Sequence, residues 1–132
     1  MSGAPGLEGK TVMIVDDDQT MRMLIRRMLA RMKIANLLEA EGGEQALKQL
    51  QGARSACDLI ISDWNMPGMS GIEFYNRIHA IKPDLPFLML TGRSDAGSVI
   101  AAKKAGIPAY IVKPISPEEL KTKISFLLTK SA

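Results

Sequence analysis

In TVMIVDDDQTMRMLIRRMLARM, residues 11–32, a β-type run ends in three aspartates, Asp16, Asp17 and Asp18, and a helical pattern starts at once. Met21, Leu24, Ile25, Met28, Leu29 and Met32 fall on one stripe at helical spacing while Arg22, Arg26, Arg27 and Arg31 lie mostly elsewhere, so the methionine stripe reads as core. Asp18 is placed to cap the helix N-terminus. Adjacent carboxylates about 4 Å apart repel by roughly 4 kcal/mol at an effective dielectric of about 20, so a buried strand that ends in them calls for a positive partner.

The same strand-then-helix unit repeats outward from this segment. Further β-type runs are NLLEA (36–40), DLIIS (58–62), PFLML (86–90) and AYIVK (109–113), five strands in all with TVMIV. Helical patterns occupy about 43–51, 71–82 (Ile72, Tyr75, Ile78 and Ile81 periodic) and 95–105. The last helix opens with Ser116 as N-cap, Pro117 at the first helical position and Glu119 completing a capping box, followed by Leu120, Ile124, Leu127 and Leu128. Strict alternation with near-continuously apolar strands implies an α/β fold, a parallel sheet with helices on both faces.

Composition narrows the classes of function. The chain has 132 residues, 46% hydrophobic and 23% charged, which suits one ordinary globular domain. Residues 1–9, rich in Gly, Ser and Pro, read as a flexible tail, leaving 10–132 as the domain. No apolar run is long enough to span a membrane and the N-terminus lacks a secretory hydrophobic region, so the expected location is the cytoplasm. With Cys57 as the only cysteine, an internal disulfide is excluded. The net charge is +3, but the basic residues are dispersed with little aromatic interleaving, which argues against a nucleic-acid partner. His79 sits in a helical pattern without a ligand partner nearby and reads as a surface residue.

In sheets of this kind ligands gather outside the carboxyl ends of the strands. Those ends carry Asp16, Asp17 and Asp18 after strand 1, Asp63 after strand 3, Thr91 after strand 4 and Lys113 closing strand 5. Carboxylates, hydroxyl and ammonium at one mouth suit phosphoryl transfer: Mg2+ takes oxygen ligands, a carboxylate beside it can attack phosphorus, and lysine and hydroxyl stabilise the charge on the phosphoryl oxygens. Taken singly, Thr91 reads as a turn residue and Lys113 as a solvated lysine; the convergence carries the chemistry.

These residues carry a resemblance to the receiver domains of two-component response regulators, most closely the single-domain chemotaxis (CheY-like) type. It runs from about Lys10 to Lys130 and rests on VDDDQTMR, SDWNMPGMSG, LTG and AYIVKPI. The resemblance implies the flavodoxin-like doubly wound five-stranded parallel sheet of order 2-1-3-4-5 with five helices, for which flavodoxin and CheY are standard examples. It also implies Asp63 as phosphoacceptor, Asp17 and Asp63 as direct Mg2+ ligands, the backbone carbonyl of Asn65 as a third, and Asp16 acting through metal-bound water. Thr91 and Tyr110 become the switch pair, and the Lys113–Pro114 bond is expected to be cis. Implied partners are a histidine kinase or histidine phosphotransfer protein docking over helix 1 and the Lys113 loop, and a downstream protein target read through helix 4, strand 5 and helix 5, roughly Arg93 to Leu128. Since only Ser131 and Ala132 follow Lys130, a stand-alone protein that acts by binding another or by passing its phosphoryl group on is expected. The resemblance also implies a monomer and a phosphoacceptor switch rather than an enzyme.

Within the family, a phosphorelay intermediate or phosphate sink is the alternative. Outside it stand a flavodoxin-like FMN carrier, which three aspartates after strand 1 disfavour because they would repel a phosphate, and an aspartate-nucleophile phosphatase, whose DxD pair would sit on strand 1.

Overall fold

A computed structural model describes residues 7, 9–51, 57–92 and 96–130, without the side chains of 96–99 and 130. Five strands, β1 (Thr11–Val15), β2 (Asn36–Ala40), β3 (Leu59–Asp63), β4 (Phe87–Thr91) and β5 (Ala109–Val112), alternate with five helices, α1 (Gln19–Arg31), α2 (Gly43–Gln51), α3 (Gly71–Ile81), α4 (Ala96–Ala105) and α5 (Pro117–Lys130). The strands form one sheet in the order β2-β1-β3-β4-β5, all pairs parallel. The order reverses beside β1, and the carboxyl ends of β1 and β3 line the crevice expected there.

Two of the strands sit one residue further along than the apolar runs suggest. Asp63 and Thr91 are the last residues of β3 and β4, and Lys113 lies just past β5. The parallel ladder sets these limits: Asp63 registers with Leu90, the Trp64 N–H donates to the Leu90 carbonyl at 2.8 Å, and the Lys113 N–H donates to the Thr91 carbonyl at 2.7 Å. Pro86, which has no N–H, stays outside β4 and only accepts, from Ile60 at 3.0 Å.

Each sheet face buries its own core. Val12 and Ile14 of β1, Leu59 and Ile61 of β3, and Leu88 and Leu90 of β4 pack against Ile25 and Leu29 of α1 and Leu120 and Ile124 of α5. On the opposite face Met13, Ile60, Phe87 and Met89 pack against Leu47, Phe74, Ile78 and Ala102. The alternation that splits each strand between two cores is the period-2 geometry of a sheet covered on both sides.

The helical stripes are narrower than the sequence suggests. Ile25 and Leu29 are fully buried, but Leu24 is 43% exposed and Ile81, at the end of α3, is 53% exposed. Both lie at the margin of a helix whose neighbours do not reach around it. Leu7 departs in the other direction: placed in the N-terminal tail by its neighbours, it is fully buried in the α1/α5 core, where such a side chain contributes about 1.5–3 kcal/mol. Residues 1–6 and 8 lie outside the described residues, as do Arg93 and Asp95.

Caps set the helix starts near the crevice. Asp18 Oδ1 accepts from the N–H groups of Thr20 (2.9 Å) and Met21 (3.4 Å), so the third aspartate is the α1 cap. Ser70 Oγ accepts from the Glu73 N–H at 3.1 Å and Ser116 Oγ from the Glu119 N–H at 3.3 Å. The reciprocal half of the capping box, from Glu119 back to Ser116, is not made among the described residues.

Gly71 opens α3 against the end of β3. A Cβ there would stand 2.5 Å from the Asp63 carbonyl oxygen and 3.0 Å from the Trp64 Cα, closer than real contacts allow. At the far end of α1, Lys33 adopts φ +66°, and the N–H groups of Lys33 and Ile34 close the helix on the carbonyls of Ala30 and Leu29, each at 3.1 Å.

Two measurements test these backbone constraints. Gly71→Ala must push backbone against backbone and should lower stability by about 1–3 kcal/mol in urea unfolding, whereas an unchanged midpoint would show that the β3–α3 junction yields freely. Lys33→Gly removes a left-handed penalty and should stabilise by about 1 kcal/mol, a gain that a lower midpoint would contradict.

Candidate functional site

The carboxyl ends of β1 and β3 bring Asp16, Asp17 and Asp63 together. One carboxylate oxygen from each lies within 4.8 Å of the others, with Asp16 and Asp63 buried and Asp17 exposed. At that separation two full charges repel by about 3–4 kcal/mol at an effective dielectric of about 20.

The local chain holds Asp16 rigidly. Its N–H donates to the Ala40 carbonyl of β2 at 3.1 Å, and its Oδ1 accepts the Asp18 N–H at 2.9 Å. Oδ2 is buried and has no hydrogen-bond partner among the described residues. An orphaned carboxylate oxygen is costly, and burial is the main reason that the Asp16 carboxyl is pushed up from 3.8 to about 6. The Asp18 N–H and, more weakly, Lys113 oppose that rise, while the charges of Asp63 and Asp17 add to it. A folded-state value above the ordinary one means that the bare site lowers stability as pH rises from about 4 through about 6. A hard cation between these oxygens would remove both the orphan and the repulsion, so the donor set, three carboxylates of which one presents a buried oxygen without a partner among the described residues, fits Mg2+.

Asp63 faces the Lys113 ammonium group. Its Oδ1 accepts from Lys113 Nζ at 3.1 Å and from the Trp64 N–H at 2.9 Å, and no described group bonds Oδ2. The Lys113 side chain is 25% exposed and Asp63 11%, so the pair is only partly open to solvent. The Lys113–Pro114 peptide is cis.

Thr91 ends β4, the strand next to β3, and is 3% exposed. Strand alternation puts it on the same sheet face as Met89, and Met89 registers with Tyr110, which is half-buried against that face. Thr91 and Tyr110 therefore share a face, whereas Asn65 is exposed in the β3–α3 loop. Gly92 is exposed, with nothing among the described residues within 4 Å of where a Cβ would stand.

The sequence reading missed a clamp beneath the acidic pair. Arg22 of α1 donates from Nη1 to the Asp16 carbonyl (2.5 Å) and from Nε to Glu39 of β2 (3.2 Å), and Arg26 also pairs with Glu39 (2.6 Å). The spacing of Arg22 and Arg26, one helical turn apart, was the available signal, but a periodic basic face does not reveal which acid on another strand it will meet. Trp64 is half-buried, and His79 is exposed and stacks on Tyr75 at 5.5 Å. Cys57 packs against the second core and gives its thiol to the Leu59 carbonyl; burial pushes its pKa up.

Comparison with known proteins agrees with this geometry. The family model described as the response regulator receiver domain matches residues 12–125. The chain is 38% identical over 119 residues to the chemotaxis protein CheY1 of Helicobacter pylori strain J99, covering 89% of this chain and 95% of that one. It is 40% identical over 119 residues to the CheY homolog of Campylobacter jejuni, covering 89% and 91%. Among solved structures, chemotaxis protein CheY4 of Vibrio cholerae superposes with a TM-score of 0.80 at 32% identity, covering 90% of this chain and 98% of that one. A receiver domain from Clostridium thermocellum gives a TM-score of 0.82 at 26% identity, covering 92% and 95%. No described helix is long and apolar enough to cross a membrane. With an acidic crevice, a lysine on its central carboxylate and a match over nearly the whole fold, the chain belongs to the response regulator receiver domain family, CheY-type phosphoacceptor modules of two-component signalling.

Proposed function

We propose that the protein is a Mg2+-dependent phosphorylation switch in which Asp63 is the phosphoacceptor and protein binding is the output. The observation that carries this reading is the position of Asp63, which meets the acidic pair on one side and Lys113 on the other. Its Oδ1 is engaged by Lys113 and Trp64, leaving Oδ2 to attack phosphorus. As the new O–P bond forms, the bond from phosphorus to the donor's leaving group breaks and its electron pair departs with that group, giving an acyl phosphate.

Bound Mg2+ would supply Lewis-acid charge at this mouth. Asp17 and Asp63 would hold it directly with the Asn65 carbonyl, and Asp16 through water. Lys113 neutralises one phosphoryl oxygen, and the Thr91 hydroxyl donates to another. Because Thr91 shares a sheet face with Tyr110, drawing Thr91 toward the phosphoryl group frees space into which Tyr110 can turn. The surface of α4, β5 and α5 then presents the modified state to a downstream protein, and a histidine kinase or phosphotransfer protein approaches over α1 and the Lys113 loop. Of the arginines on α1, Arg22 and Arg26 are committed to Glu39, which leaves Arg27 and Arg31, exposed and without an ion pair among the described residues, for such a partner. We assign chemotaxis as the setting, the role named for the Helicobacter and Campylobacter relatives, and the cytoplasm as the compartment.

Two outcomes check the assignment. Asp63→Asn should abolish acid-labile phosphorylation by a small-molecule phosphodonor, and labelling at the wild-type level would refute Asp63 as acceptor. Mg2+ should raise the melting temperature of wild type by several degrees more than that of Asp17→Ala, because ligand bound only by the folded state stabilises it; equal shifts would place the cation elsewhere.

A further inference from the structure

Both peptide groups that flank the Asp16 Cα are held. In the peptide from Val15 the Asp16 N–H is bonded to Ala40 of β2, and in the peptide to Asp17 the Asp16 carbonyl accepts from Arg22 Nη1 at 2.5 Å. A peptide unit is planar, so fixing the direction of that carbonyl on a held Asp16 N–H fixes the Asp16 ψ and with it where the Asp17 N and Cα stand relative to the Asp16 side chain. Arg22 is in turn fixed. Its Nε bonds Glu39 Oε1 at 3.2 Å, its side chain is only 12% exposed, and Glu39 is anchored further by Arg26 at 2.6 Å. A planar guanidinium can direct two donors at two acceptors at once, which a lysine ammonium on a flexible stem does less well.

We infer that Arg22 is a positioning residue for the metal pocket: by clamping the Asp16 carbonyl to Glu39 it sets the separation of the Asp16 and Asp17 carboxylates for the cation. This inference rests on the reading of the acidic cluster as a Mg2+ site. Groups that orient metal ligands without touching the metal typically govern affinity by about 10–100-fold. Glu39 provides an internal control, since among the described residues it has two arginine partners and only Arg22 reaches Asp16.

The test is calorimetric titration of the full chain with Mg2+ alone, for wild type, Arg22→Met, Arg22→Lys and Arg26→Met, with melting in EDTA recorded for each. Arg22→Met should weaken Mg2+ binding about tenfold or more and Arg22→Lys at least about threefold, while Arg26→Met stays within about twofold of wild type. The two methionine variants each lose one ion pair to Glu39, so a merely structural role would lower their EDTA melting temperatures and their Mg2+ affinities together. Arg22→Met binding within about twofold of wild type, or Arg26→Met losing as much as Arg22→Met, overturns the inference and leaves the metal site standing. Should Arg22→Met fail to fold, the Arg22→Lys titration decides, wild-type affinity there overturning the inference. If wild type itself takes up no Mg2+, the metal site and the positioning role fall together.

Discussion

Three carboxylates held within 4.8 Å of one another are the constraint around which this molecule is arranged. Their mutual repulsion, together with the buried, unpartnered oxygen of Asp16, opposes folding of the unliganded crevice. The fold tolerates that opposition because the strands beneath are among its best-buried elements: every residue of β3 and β4 is buried, as are four of the five in β1. The two cores stabilise the sheet, and the sheet holds the charges where a relaxed chain would separate them. Strain of this kind, concentrated at one mouth and offset elsewhere, is the usual physical mark of a site built for a ligand.

The crevice combines fixed and adjustable parts. Asp16 is held by Ala40, Asp18 and Arg22, and Asp63 is backed by Gly71, whose missing Cβ lets α3 start directly against the Asp63 carbonyl. Asp17 and Asn65 are exposed. A pocket with one rigid wall and one accessible side suits a cation that keeps several waters and must admit a phosphoryl group. Thr91 and Tyr110 share the sheet face of Met89, at the β4–β5 edge.

The arginines of α1 illustrate how a single periodic feature divides in three dimensions. By spacing alone they form a basic face that reads as solvated surface. In the folded chain Arg22 and the exposed Arg26 both pair with Glu39, and Arg27 and Arg31 are left as exposed charge without an ion pair among the described residues. Of these four arginines, Arg22 is the one bonded to the acidic pair itself among the described residues.

Local chemistry was readable from the chain alone. The alternation of β-type runs and helical patterns sets the α/β class, because period-2 and period-3.6 burial cannot be exchanged for one another. Asp18 as a cap follows from an acid just before a helix, and the residues at the strand ends follow from where apolar runs stop. The strand order, the cis peptide and the ligand roles came from resemblance and not from pattern. What only the tertiary structure decided depends on contacts between distant segments. The last residues of β3 and β4 are set by hydrogen bonds from the neighbouring strand, and the burial of Leu7 and exposure of Leu24 and Ile81 by which elements lie alongside. The need for glycine at position 71 comes from a carbonyl on another element. The bridge from Arg22 to Glu39 and Asp16 is of the same kind, because residue spacing defines directions along one element and carries no information about what stands opposite.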